Sequence, residues 1–276
     1  MNYARYAFRG NGFNLVMYQS GKLVIQGKGA EEFVLFTIEP QVTLQFNHNN
    51  EEFIHPEWYE THAGMDESGK GDFFGAVVTA CVVADSKQIK QLKNIGVKDS
   101  KSIASDKAVL EIERKMYGID GIVIEIMSLS MGKYNELYQK FGANLNRLLG
   151  WMHSCSLKNA LQRRYVPRGV LDQFSKSPIT QSFVKRDYPE FVLDMHTKAE
   201  SDPVVAAASI AARAAYIRQM EALSKEANVT LLKGASQQVK NLGKELNRQF
   251  GAEGLAKYCK THFKTYKEIL SEASGN

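Results

Sequence analysis

Asp66 and Glu67 sit side by side in Gly64-Met-Asp-Glu-Ser-Gly-Lys-Gly-Asp72, where three acids and three glycines crowd against the apolar run Phe73-Phe-Gly-Ala-Val-Val-Thr-Ala-Cys-Val-Val83. That run reads as a buried strand, with the acids in a turn at its mouth. Adjacent carboxylates in such a place cost free energy unless they are paired or ligate a metal. Carboxylate oxygens suit hard divalent cations, and Mg2+ is usually held by few carboxylates together with substrate phosphate. Two such ions about 3.5–4 Å apart can activate a water and stabilise the leaving oxygen of a phosphodiester. An acidic turn before a core strand is the plainer alternative, so the chemical reading requires further acids from distant parts of the chain.

Two stretches supply them. Arg168-Gly-Val-Leu-Asp172 is a short apolar run ending on an acid. Phe191-Val-Leu-Asp-Met-His-Thr197 leads into Lys198-Ala-Glu200-Ser-Asp202-Pro203 and then an alanine-rich segment. Pro203 is favoured at the first position of a helix, and Asp202 suits the N-cap. Glu200 then falls on a loop between a strand and a helix. Gly64-x4-Gly69-Lys70 also mimics the phosphate-binding pattern GxxxxGK[ST], but Gly71 stands where the metal-binding hydroxyl belongs and the loop interior holds two acids. A nucleotide hydrolase is therefore the weaker rival.

The ordered acids Asp66, Glu67, Asp172 and Glu200 make a resemblance specific. GMDESGKGDFFGAVV, Gly96-Val-Lys-Asp-Ser-Lys101, Leu171-Asp-Gln-Phe174 and His196-Thr-Lys-Ala-Glu-Ser-Asp-Pro-Val-Val-Ala-Ala-Ala-Ser-Ile-Ala-Ala-Arg213 resemble the signature blocks of bacterial ribonuclease HIII, one of the type 2 ribonucleases H. GKG in place of the GRG usual in ribonuclease HII, and Glu at the fourth acidic position, favour HIII. Asn144-Leu-Asn-Arg-Leu-Leu-Gly-Trp-Met-His-Ser154 and Lys260-Thr-His-Phe-Lys-Thr-Tyr-Lys267 resemble further HIII stretches.

The resemblance implies an endonuclease that cuts the RNA strand of RNA/DNA hybrids with Mg2+ or Mn2+, two ions per site, leaving 3′-hydroxyl and 5′-phosphate ends. It makes Asp66, Glu67, Asp172 and Glu200 the metal-binding catalytic acids, with Asp66 bridging. It brings Ser68, Gly69, Lys70 and Gly71 to the substrate's minor groove, and gives Ser100 and Lys101 to substrate phosphates. Glycine permits close backbone approach, and the 2′-hydroxyl distinguishes RNA from DNA. The implied fold is α/β, a ribonuclease H-like mixed sheet flanked by helices. A small α+β N-terminal domain resembling half of a TATA-box-binding protein precedes it, here expected in shortened form. The corresponding division is residues 1–45, a linker at 46–62, and a catalytic domain at 63–276. A cutter at single embedded ribonucleotides and a non-catalytic hybrid-binding module are the alternatives. The implied setting is DNA replication and repair.

The 276 residues can fill one large or two moderate domains, and 44% hydrophobic with 24% charged side chains is ordinary for a soluble globular protein. No apolar run approaches the ~20 residues that span a bilayer, and the N-terminus lacks a signal-peptide core. Cys81, Cys155 and Cys259 are widely spaced and odd in number, which favours reduced cytoplasmic thiols without a zinc motif, and a monomer is expected. Residues 1–60 hold four basic and seven acidic side chains, a net −3 that leaves +8 on residues 61–276. A basic body around an acidic pocket suits a polyanionic substrate. Lys257, Lys260, Lys264 and Lys267 are spaced to share one helical face.

The elements that must position these residues are read as follows. Gly12–Tyr18 and Lys22–Gln26 form a hairpin about Ser20-Gly21, followed by a helix over Ala30–Phe36. Trp58 and Tyr59 are expected to dock on the main domain. Helices are predicted over 87–94, 105–116 and 203–223, a long helix within 134–163, and a strand over Gly121–Leu129. His196 and Asp99 suit structural roles, Trp151 suits the core, and the amides of Asn144 and Asn146 can reach backbone or ligand.

Overall fold

The computed structural model describes residues 3–43, 52, 55–98, 100–175 and 177–274. They divide into two units, Met1–Tyr59 and Glu60–Asn276. The first unit holds three antiparallel strands, β1 (Ala4–Gly10), β2 (Phe13–Tyr18) and β3 (Leu23–Gln26), in that order. The expected hairpin is β2–β3. The strand that precedes it escapes sequence reading because its large side chains, Tyr6 and Phe8, are exposed, so no inward alternation marks it. The helix after it is shorter than expected, Ala30–Phe33, and continues as wide π-type turns over Val34–Thr43 that contain Pro40. Phe13 stacks on Phe33 with ring centroids 4.0 Å apart. Residues 44 and 45, and 46–51, 53 and 54 of the expected linker, lie outside the described residues. Tyr59, at the end of a short turn, is buried, and Trp58 stacks on His55.

The second unit is built on a five-stranded mixed sheet ordered β6-β5-β4-β7-β8. Its strands are β4 (His62–Ser68), β5 (Val78–Ala84), β6 (Val123–Met127), β7 (Arg168–Asp172) and β8 (Val192–His196). β4 pairs antiparallel with β5 and parallel with β7, and β7 pairs parallel with β8. The helix Leu145–Arg163 covers one face, through Leu157, Ala160 and Leu161 against Met65 and Leu171. The helix Pro203–Glu226 covers the other.

Three sequence expectations are corrected here. The acids lie not in a turn at a strand's mouth but on β4 itself, and the strand expected from Phe73 begins only at Val78. Phe73 to Val77 form a loop because Gly75 takes φ 75° and Phe74 makes only an isolated bridge to Cys259. The long helix expected within 134–163 is Leu145–Arg163; a shorter one, Met131–Lys140, precedes it, and Gly142 and Ala143 both take positive φ between them. Asn144 caps the longer of these, accepting from the Arg147 N–H, so its amide serves the backbone. The lysines at 257–267 share no single face, since one helix ends at Leu255, the next starts at Lys264, and Lys260 is wholly buried.

Asp202 caps the helix Pro203–Glu226 through the Val204 N–H at 2.8 Å, and its other oxygen meets the buried His62 Nε2 at 2.9 Å. That helix approaches the sheet closely because its face is alanine-rich and Gly64 opposes it. A Cβ on Gly64 would lie 2.4 Å from the backbone of Val204 and Val205. Gly64 is thus a packing glycine inside a strand, which removes the phosphate-loop reading. Among the described residues no helix is long and apolar enough to cross a membrane. Gly64→Ala is expected to destabilise the protein by about 1–3 kcal/mol through overpacking, measured as a lower denaturation midpoint; an unchanged midpoint would contradict the close approach.

Candidate active site

Successive side chains of a strand point to opposite faces of the sheet, and that alternation divides the two leading acids. Asp66, in phase with Gly64, faces the helix Pro203–Glu226, and its Oδ1 accepts the Glu67 N–H at 2.8 Å. Glu67 faces the helix Leu145–Arg163, where its Oε2 lies 3.1 Å from His153 Nε2. Its Oε1 lies 3.4 Å from Lys70 Nζ. His153 is fully buried and stacks on Phe174 with centroids 5.3 Å apart. Asp66 and Glu67 therefore stand on one strand end, each facing a different layer.

Parallel pairing brings in the third acid. Met65 pairs with Leu171, so Asp172 at the end of β7 stands beside Asp66. The Ala199 N–H donates to Asp172 Oδ1 at 3.0 Å, tying β7 to the short turn Ala199–Ser201 that follows β8. Lys198 takes a left-handed conformation at φ 61°, which swings the chain into that turn. Glu200 lies there, with Oε1 3.6 Å from Lys101 Nζ and Oε2 buried without a hydrogen-bond partner.

A cavity of about 350 Å³ is lined by Asp66, Glu67, Ser68, Gly69, Lys70, Ser100, Lys101, Asp172, Ser209 and Arg213. The site residues singled out from sequence thus surround one pocket, except that Gly71 lies outside its lining and Glu200 joins through Lys101 and the charge it exerts on Asp172. Asp99 lies outside the described residues, and His196 is an exposed strand-end residue away from the lining. Sequence reasoning missed His153, Ser209 and Arg213. Ser209 Oγ lies 2.7 Å from Ser100 Oγ. Arg213 donates to the Ser100 carbonyl and meets Asp106 at 3.2 Å, fixing the 100–103 segment that carries Lys101. Ser209 and Arg213 are four residues apart on the capped helix, a spacing that puts both on one face with Asp202's turn.

The electrostatics are those of crowded acids. Burial, then the neighbouring Glu67 charge, pushes the Asp66 carboxyl up to about 7. Burial raises Asp172 as well, with Glu200 and Glu67 adding to it. Glu67 moves the other way: burial opposes its charge, but His153 and Lys70 outweigh burial and hold it below the usual range. A divalent cation would offset this repulsion. The donor set fits one, since all four acids offer carboxylate oxygens and Glu200 Oε2 is buried and unpartnered. Among the described residues no three acidic, His or Cys side chains already converge at metal-ligating geometry, so side-chain rotation would complete the shell.

The comparisons agree with this architecture. Residues 63–266 match the family model described as ribonuclease HII. The chain is 38% identical over 98% of its length to ribonuclease HIII of Protochlamydia amoebophila, covering 88% of that protein. It is 40% identical over 99% of its length to ribonuclease HIII of Chlamydia caviae, covering 89%. The crystal structure of Bst-RNase HIII in complex with Mn2+ superposes with a TM-score of 0.73 at 26% identity, over 99% of this chain and 91% of that one.

Asp66 carries a proton when folded that an unfolded aspartate has already lost. The stability this contributes is fully present below about 4 and is lost as pH rises through about 7. In EDTA, Asp66→Asn is therefore expected to raise the melting temperature at pH 8 by about 2–4 °C, the shift that ~1 kcal/mol gives a chain of this size. The gain should shrink at pH 5; calorimetry at both pH values checks the sign, and a loss at pH 8 would contradict it.

Proposed function

This chain belongs to the ribonuclease HIII family and is an endoribonuclease of the ribonuclease H type; from that premise we propose that it hydrolyses the RNA strand of RNA/DNA hybrids, leaving 3′-hydroxyl and 5′-phosphate ends. The observation that carries the reading is the gathering of Asp66, Glu67 and Asp172 around one cavity that a glycine loop and basic side chains also line. Asp66, Glu67, Asp172 and Glu200 would hold two divalent ions, Mg2+ or Mn2+. Bound there, such ions supply an activated water and charge stabilisation for the leaving 3′ oxygen.

The remaining work falls to the chain's own groups. Asp66 would be one of the ligands, its carboxylate oriented by the Glu67 N–H at 2.8 Å. His153 and Lys70 keep Glu67 ionised and aimed at the cavity. Ser68, Gly69, Lys70 and Gly71 would meet the hybrid's minor groove; Gly69 takes φ 83°, a conformation open to glycine at no steric cost. Lys101 and Ser100 would take substrate phosphates, the lysine as a point charge that gives up Glu200 when an ion arrives. We assign residues 1–45, with the exposed Tyr6 and Phe8 of β1, to gripping the hybrid, 46–62 to a linker and 63–276 to catalysis. A cytoplasmic monomer completes the proposal.

End-labelled RNA/DNA hybrid, single-stranded RNA, duplex RNA, duplex DNA and DNA with one ribonucleotide test the reading, each with Mg2+, Mn2+ or EDTA. Metal-dependent cutting of the hybrid is expected. Asp66→Asn should lower the rate by about 10²–10³-fold or more while hybrid binding persists. Efficient cutting at the lone ribonucleotide would shift the specificity towards the HII type, and retained activity in Asp66→Asn would sink the site assignment.

A further inference from the structure

The loop that lines the cavity is anchored from the far end of the sequence. Gly69 to Gly71 leave β4 and pass directly into Asp72–Ala76, a segment with no place in the sheet. Its backbone groups must find partners elsewhere, since buried polar backbone is costly when unpaired. Lys260 supplies two of them. Its side chain is wholly buried, and its Nζ donates to the Asp72 carbonyl at 2.6 Å and to the Gly75 carbonyl. The Lys260 N–H also donates to the Phe73 carbonyl at 2.9 Å. The aromatic rings of Phe263 and Tyr134 lie 5.6 and 5.9 Å from the same nitrogen. Tyr216 holds the opposite side: its hydroxyl donates to the Phe74 carbonyl at 2.9 Å.

Tyr216 also explains the loop's glycines. A Cβ on Gly69 would lie 2.4 Å from the Tyr216 ring, and one on Gly75 would lie 3.0 Å from it. The loop therefore wraps the ring with a glycine on each side, and Lys260 closes the wrap. A buried lysine is seldom tolerated without a reason. Two carbonyl acceptors account for it here. Burial draws its pKa down to about 7, and either protonation state keeps an N–H for each carbonyl.

We infer that Lys260 is a positioning residue for substrate recognition, which fixes the Gly69–Gly71 loop through the Asp72 and Gly75 carbonyls with Tyr216 as the surface it is held against. The inference rests on the ribonuclease reading of the site, and it adds a residue 188 positions beyond Asp72 to the means by which RNA is told from DNA. Loss of the anchor would loosen contacts that need a 2′-hydroxyl. It would leave sequence-independent phosphate attraction intact, because that depends on the charge of the surface.

The test uses Lys260→Met, which keeps the length and apolar stem and removes the donors. The readouts are KM and kcat on the RNA/DNA hybrid, and Ki for duplex DNA as a competitor, with active sites titrated. Losing a hydrogen bond of this strength is expected to raise KM for the hybrid about tenfold, with Ki for duplex DNA unchanged. Tyr216→Phe, which deletes one hydroxyl and keeps the ring, should move KM in the same direction by about threefold and keeps the test open if Lys260→Met folds poorly. A lower melting temperature with unchanged KM in both variants would reduce Lys260 to a structural role and overturn the inference. A parallel rise of KM and Ki would overturn it too, since the loss would then be of general affinity. Failure of the unmodified protein to cut the hybrid would instead strike the ribonuclease reading itself.

Discussion

Four carboxylates drawn towards the ends of three adjacent strands repel one another, and much of the second unit answers that repulsion. Water solvates isolated acids well, whereas Asp66 and Glu67 at the end of β4 are largely shut off from it. The chain responds by giving each acid a different support. Asp66 has the Glu67 N–H, Glu67 has His153 and Lys70, Asp172 has the Ala199 N–H, and Glu200 has Lys101. These supports come from β4 itself, from one helical layer and from three connecting segments. They also leave the acids short of neutrality, which is the condition a divalent cation would relieve.

The sheet's topology sets this arrangement. Parallel β4 and β7 end on the same edge, so acids at Asp66 and Asp172 become neighbours despite their separation in sequence. The period-two alternation of β4 then sends Asp66 and Glu67 to opposite layers. The alanine-rich helix can approach because Gly64 has no side chain, and its cap, Asp202, is locked to the first residue of β4 through His62. Close helix packing and the placement of Ser209 and Arg213 beside the cavity are one structural event.

Local chemistry was legible in the sequence and long-range partnership was not. The Asp202–Pro203 helix start could be read because capping depends on neighbouring residues alone. The order of the acids, and their positions at ends of apolar runs, could be read for the same reason. β4 was hidden because His-Ala-Gly-Met-Asp-Glu-Ser lacks β-branched residues; it is a strand by virtue of neighbours on both sides. Lys260 misled most, since lysine spacing suggests a solvated helix and only the carbonyls of a distant loop reveal its burial. His153 had a quieter signal: it falls on the buried face of a long helix, a place where a histidine needs a partner.

The central claim is that Asp66, Glu67, Asp172 and Glu200 form one divalent-metal site. Crystals soaked in Mn2+, with anomalous diffraction recorded at the manganese edge, address it without reliance on turnover. The account predicts anomalous peaks flanking the Asp66 carboxylate within ligating distance of the other three acids, and their loss in Asp66→Asn crystals. Mn2+ bound elsewhere, or peaks that survive removal of the Asp66 charge, would contradict it.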